Sequence, residues 1–198
     1  PKVSTYLDAK IDEIIELKPD LVLAWSDLQA SICQQLIQSG IAVHCFNHRT
    51  IAGILDMITM LGRLIDKSDE AMEYRAWLER RIDQRAETSA KNKRRPLIYF
   101  EEWYDPLISG IAWVSELIEL CGGIDVFAEH RAYHDAKRRI IPNPEIIIES
   151  NPDIIIASWC GKGVKKELIR SRAGWSSINA IKNNQIHEIK SSIILQPG

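Results

Sequence analysis

One phrase is written twice in this chain. Residues 18 to 25 read KPDLVLAW, and residues 151 to 159 read NPDIIIASW. In each, a proline ends whatever helix precedes it, because its ring clashes in a helix interior and pushes the residue before it into extended geometry. The continuous apolar runs after the prolines, Leu21 to Ala24 and Ile154 to Ala157, suit parallel strands covered on both faces. Each phrase therefore spells helix stop, buried strand, and a tryptophan where the strand runs out. Two α/β lobes explain the echo better than one continuous sheet, although common strand–helix grammar also produces Pro-Asp before a buried strand.

The rest of the chain fills in around these anchors. Helical spacing runs from Leu7 to Leu17, and again over residues 28 to 39, with Gly40 where a left-handed C-terminal cap belongs. Ile41 to Phe46 reads as the second strand of a βαβ unit. Thr50 is placed to cap a helix carrying Ile51, Ile54, Leu55, Ile58, Leu61 and Ile65 on one side. Ser68 is placed to cap a longer helix running to about residue 91. At ~1.5 Å per residue that helix spans ~35 Å, enough to cross from one lobe to another. After Pro96 come a strand at Leu97 to Phe100, a helix at Trp113 to Leu120 stopped by Gly122-Gly123, and a helix at Glu145 to Ser150 capped by Asn143. A helix from Val164 to Arg170 and a strand from Ile186 to Ile189, with Asn183-Asn184 as the turn between, complete the pattern. The expected fold is α/β, with two lobes of parallel sheet: residues 1–67, a linking helix over 68–95, and 96–198.

Composition excludes some classes. With 45% apolar residues in 198 the chain can build a real core, and a net charge of −2 argues against a polyanion-binding surface, so no nucleic-acid partner is expected. The basic cluster Lys91, Lys93, Arg94, Arg95 reads as a solvated helix end. No apolar run approaches the ~18 residues needed to span a membrane. The opening Pro-Lys-Val, without initiator Met or signal peptide, says nothing of compartment. Cys33, Cys45, Cys121 and Cys160 contain no Cys-x-x-Cys pair and read as buried free thiols, with pairing left open.

In open parallel sheets, ligands sit beyond the carboxyl ends of the strands. Trp25, Asn47, His48, Trp103, Tyr104 and Trp159 all fall just past such ends. Large rings with a polar edge suit a big, flat, amphipathic ligand, against the alternative that they are packing residues. Trp113 joins them as a candidate. Adjacent strand residues face opposite ways, so Glu101 and Glu102 cannot form an acid/base couple, although Glu102 is a candidate acceptor for a ligand. His44-Cys45-x-x-His48 places its first two members on opposite faces and lacks a second ligand pair, so no metal site is expected. His130 and His134 fall in what reads as a polar surface segment. No nucleophile elbow, Walker loop or dinucleotide fingerprint is present.

KPDLVLAW followed by SGIAVHCF, EEWYDPLISGIAWVSELIELCGG, NPDIIIASWCG and GWSSINAIKNNQIHEI resembles the substrate-binding proteins of ABC importers for vitamin B12 and iron-siderophores, the cobalamin-binding members most of all. The resemblance covers essentially the whole chain. It implies two α/β lobes bridged by a rigid backbone helix, a ligand in the cleft between them, no enzymatic activity and no cofactor beyond a cobalamin-type corrinoid as ligand. It also implies a monomer that delivers its ligand to an ABC permease and its ATPase, and a periplasmic or lipoprotein location. Trp25 falls where an aromatic ring flanks the corrin. Acids that dock the permease fall at Glu145 and at Ser31, leaving Asp27 to substitute for the second or the docking to differ. Family members usually start earlier and continue past LQPG, so the chain is expected to be truncated at both ends. Iron-siderophore or haem binding is the alternative within the family. A corrinoid-handling or sensing module, or a chelatase-like enzyme using His48 with Glu102, is the alternative outside it.

Overall fold

The computed structural model describes residues 2–5 and 7–196. The backbone parts after His48 into two compact units, residues 1–48 and 49–198.

The first unit contains α1 (Ile11–Glu16), β1 (Val22–Trp25), a 3-10 turn (Asp27–Gln29), α2 (Ala30–Gln38) and β2 (Val43–Phe46). β1 and β2 pair in parallel, with Ala24 opposite Cys45 and Trp25 opposite Phe46. Ile14, Ile32 and Leu36 form its core, with Val22, Ile41 and Val43 packed against them. The first helix starts at Ile11, later than its apolar spacing predicts. Thr5 and Asp8 hold each other in a turn, and the Asp8 carboxylate accepts the Ala9 N–H at 2.9 Å. Such local side-chain bonds compete with helix formation. Gly40 adopts φ +81 and ends α2 as expected. The Ile41 N–H then folds back onto Leu36 O at 3.0 Å, which delays β2 to Val43.

The second unit opens with α3 (Ile51–Leu64) and α4 (Ser68–Ala90), which pack together, so α3 belongs with the C-terminal unit and not with residues 1–48. Thr50 caps α3 through Gly53 N–H at 3.0 Å. The α3–α4 crossing needs a glycine: a Cβ on Gly62 would lie 2.2 Å from Ala71 Cβ. Ser68 does not cap α4 but begins it, and Lys67 at the cap position supplies no side-chain bond. Beyond α4 the chain forms a five-stranded sheet, made of β3 (Leu97–Tyr104), β4 (Leu107–Ser109), β5 (Ile124–Asp125), β6 (Ile154–Ala157) and β7 (Ile186–Glu188). The order is β4-β3-β6-β7, with β5 also on β3; all pairings are parallel except β3–β4. The parallel α/β expectation holds, and the antiparallel β4 is an addition. β3 outruns its apolar segment because Glu101 to Tyr104 pair back onto β4 across the Asp105-Pro106 turn.

Around the sheet lie α5 (Ala112–Leu120), α6 (Glu145–Ser150), α7 (Lys166–Arg170), α8 (Asn179–Lys182) and α9 (Ser191–Ile194). Asn143 does cap α6, taking Glu145 N–H at 3.0 Å. One face of the sheet buries Tyr99, Ile155, Ala157 and Trp159 with Phe127, Ile147, Ile169, Trp175 and Ile178. On the other face of β3, Ile98 and Phe100 are 7% and 1% exposed. Among the described residues, no helix is long and apolar enough to cross a membrane.

Candidate functional site

In the first unit the strand-end residues are held by a tight turn. The Trp25 N–H donates to Gln29 Oε1 at 2.9 Å, and Ser26 N–H to Phe46 O at 2.6 Å. Ser26 is fully buried at φ 72, ψ 164, a region open almost only to glycine, with its Oγ accepting Leu28 N–H at 3.2 Å. The strained turn directs Ala24 and Ser26 inward and leaves Trp25, half-buried, on the opposite face beside His48 at 6.2 Å between ring centroids. His48 in turn lies 6.2 Å from Phe46. Next to this surface is a groove of about 500 Å³ lined by Ser26, Asp27, Cys33, Ile37, Cys45 and Asn47. Trp25, Asn47, His48 and Asp27 thus sit in one neighbourhood.

In the second unit the candidates separate. Trp103 and Tyr104 are half-buried at the end of β3, with ring centroids 5.1 Å apart, and Tyr104 lies 4.5 Å from Trp159. The Trp103 indole N–H donates to Asp105 O at 2.9 Å. Trp159, however, is 2% exposed and belongs to the core. It shares a face with Ile155 and Ala157, since alternate strand residues point the same way. Trp113 is corrected in the same sense: it is 2% exposed on the inner side of α5, donating its indole N–H to Ile194 O at 2.8 Å. Both rings pack the interior.

The two glutamates point to opposite faces, as alternation requires, and each is neutralised by its own arginine. Fully buried Glu101 takes Arg172 on both oxygens, the Trp159 indole N–H at 3.0 Å and the Tyr99 hydroxyl at 3.2 Å. Burial, and then the Glu101 charge, hold the Tyr99 phenol well above its usual range. Glu102 takes Arg139 at 2.6 and 3.0 Å and the Ile111 N–H at 3.0 Å. Both of its oxygens therefore have partners within the protein.

Sequence reading passed over several groups here. His134 is exposed in a largely exposed segment, as expected, but His130 is half-buried. Its Nδ1 lies 2.7 Å from Ser109 Oγ, and burial lowers its pKa. Asp125 is buried against Ser115 and Phe127 N–H, and its pKa is raised by burial. Lys162 stands over Trp103 and Tyr104 at 5.0 and 5.5 Å and reaches the Tyr104 hydroxyl at 3.3 Å. The Gly161-Lys162-Gly163 sequence just past β6 was the one signal that could have found it. Glu145 is exposed at the start of α6. Cys33 is buried as expected, but Cys45, Cys121 and Cys160 are exposed, two of them because they lie just past an element's end. Among the described residues, no three His, Cys, Asp or Glu side chains are grouped to hold a metal ion.

Relatives of known sequence and structure share this organisation. The chain is 29% identical over 212 residues to the vitamin B12-binding protein of Vibrio campbellii (strain ATCC BAA-1116), covering 99% of this chain and 69% of that one. It is 27% identical over 199 residues to the uncharacterized ABC transporter substrate-binding lipoprotein YvrC of Bacillus subtilis (strain 168), covering 97% of this chain and 61% of that one. The chain therefore spans about two thirds of the length of these relatives. The fold superposes on the periplasmic heme-binding protein RhuT from Roseiflexus sp. RS-1 in apo form with a TM-score of 0.83, at 17% identity, over 100% of this chain and 77% of that one. Residues 1–193 match the family described as Periplasmic binding protein, and the chain belongs to that family.

Proposed function

We propose that this chain is the ligand-binding part of an ABC importer for a corrinoid of the cobalamin type, with strand-end aromatic residues, among them Trp25, Trp103 and Tyr104, as the contacts proposed for it. The observation that carries this reading is the half-buried state of those three rings at the carboxyl ends of β1 and β3. Broad ring faces there give a flat macrocycle apolar contact, and each large ring can bury ~150–250 Å². The neutralised arginines support a corrinoid over an anionic siderophore, because Arg139 and Arg172 are both committed to glutamates. The vitamin B12-binding relative, matched along nearly all of this chain, points the same way.

In this reading the protein works outside the cytoplasm, as a periplasmic protein or a lipoprotein, and binds without chemistry. Exposed Glu145 and Asp27 are the acids offered to the permease. Haem is the second reading, favoured by the Tyr104 phenol, a group that ligates ferric iron.

Titration of tryptophan fluorescence with cobalamin, corrected for the ligand's own absorbance, tests the proposal. Saturable quenching that weakens in Trp25→Ala supports a corrinoid at Trp25. Saturation by haemin or a ferric siderophore with a flat cobalamin titration would transfer the reading to iron uptake. A full-length protein that binds none of them would sink it.

A further inference from the structure

We propose that Lys162 is the specificity-determining residue of this binding surface, and that it receives an oxyanion carried by the flat ligand. The inference rests on the proposed corrinoid-binding function and names what that function leaves open, the charge of the ligand.

The charges at the end of the sheet carry the argument. At the end of β3 two glutamates meet two arginines, and at the end of β7 the Glu188 carboxylate accepts the Val164 N–H at 3.1 Å. Glu101 is paired with Arg172 and Glu102 with Arg139. Lys162 remains, and among the described residues no carboxylate lies within ion-pair distance of it. Its ammonium instead rests on the rings of Trp103 and Tyr104 and donates to the Tyr104 hydroxyl at 3.3 Å. An ammonium has three donors, so two remain after that bond.

The position is also built to move its charge. Lys162 is exposed between Gly161, at φ +70, and Gly163, and a Cβ at either glycine would meet nothing within 4 Å. The Lys162 N–H anchors the turn on Trp159 O at 3.1 Å, while Gly161 N–H reaches Ser191 Oγ at 3.3 Å. The backbone is thus held at the strand end while the exposed side chain lies across the two rings. A flat ligand that stacks on the faces of Trp103 and Tyr104 under Lys162 takes the place of the ammonium there. A neutral ligand would displace the ammonium and forfeit its attraction to the rings. A ligand bearing phosphate or carboxylate at its edge would give the displaced ammonium a stronger partner. The surface therefore selects a flat molecule with a peripheral oxyanion, such as the phosphodiester of cobalamin or the carboxylates of haem.

The test compares ligands that differ in that group. Cobinamide keeps the corrin ring of cobalamin but lacks the phosphodiester. Dissociation constants are measured for cobalamin, cobinamide and haemin with the full-length wild type, Lys162→Met and Lys162→Arg. The expected result is about a five-fold loss of cobalamin affinity in Lys162→Met, less than two-fold for cobinamide, and recovery in Lys162→Arg. Added salt should narrow the wild-type preference for cobalamin. If only haemin binds, the same loss with haemin upholds the oxyanion contact while moving the ligand to iron uptake. Equal losses for cobalamin and cobinamide would mean that Lys162 acts by packing, and no loss for any bound ligand would mean that it does not act; either overturns the inference while leaving the binding reading intact. A wild type that takes none of the three defeats the binding reading, and the inference falls with it.

Discussion

Trp25 and Trp159 end the same phrase in the two units, yet one residue is only half-buried and the other is 2% exposed. The difference is one residue. Trp25 follows Asp20 by five positions and Trp159 follows Asp153 by six. Because side chains on a strand alternate with period two, one extra residue sends the ring to the other face. Aligned on their aspartates, Ala24 matches Ala157, Trp25 matches Ser158, and Ser26 matches Trp159. All of Ala24, Ser26, Ala157 and Trp159 are buried, so the core face is the same in both units. The first unit spends its tryptophan on the outer face and closes the core with a serine in a strained backbone. The second puts its tryptophan in the core and ties it to a buried carboxylate.

The sharpest break in that comparison is at the buried end. Glu101→Ala would strand Arg172, the Trp159 indole and the Tyr99 hydroxyl without their shared acceptor. Removing one partner of a buried ion pair costs about 3–5 kcal/mol. Trp159→Ala should cost a similar ~3–5 kcal/mol through the cavity it leaves. Trp25→Ala, losing only a half-buried ring, should cost about 1–2 kcal/mol and show its main effect in ligand affinity. Urea denaturation of the three variants would test this. Equal losses for the two tryptophans would erase the distinction between packing ring and binding ring.

The two serines of the alignment sharpen the contrast with smaller effects. Ser26→Gly relieves a backbone that costs about 1–3 kcal/mol and gives up one weak cap, so it should stabilise by about 1 kcal/mol. Ser158→Ala should also stabilise by about 1 kcal/mol, for a different reason: its buried Oγ has no hydrogen-bond partner among the described residues. Thermal melts read both. Destabilisation by Ser26→Gly would show that the hydroxyl, not the backbone, is what matters at the turn.

Much of this architecture was legible in the sequence because it is local. Pro-Asp ahead of an apolar run fixed where β1 and β6 begin, Gly40 fixed the end of α2, and the apolar stripe from Ile51 to Leu61 fixed α3. Polar elements were less legible. The second half of β3 was missed because charged and aromatic residues carry it, and β4 because three residues show no periodicity; their pairing across the Asp105-Pro106 turn makes both strands. The same limit applies to the site. Trp25, Trp103 and Tyr104 could be placed from strand ends alone. That Trp113 and Trp159 point inward depends on a helix face and a one-residue offset, which a search for tryptophans past strands does not weigh. Arg139, Arg172 and Lys162 lie 37, 71 and 58 residues from the β3 side chains they touch, beyond any local pattern.

The smallest expected effect separates the units by pH. His130, in the second unit, has its pKa lowered from an ordinary 6.5, with burial the largest cause and Arg139 adding to it, against the opposing pull of Glu129 and Asp125. The folded state therefore favours neutral His130, while the unfolded chain takes up a proton first as pH falls. The contribution is complete above pH 6.5 and is lost as pH drops below it. Asp125 works in the other direction, since burial raises its pKa from 3.8 and its stabilising influence weakens as pH rises above that value. His130→Gln can keep a polar contact to Ser109 without titrating, so the difference between wild type and variant isolates the histidine. Melting temperatures compared between pH 7.5 and pH 5 should fall further for the wild type than for His130→Gln. An identical fall would place the acid sensitivity elsewhere and leave the Ser109–His130 contact a structural one.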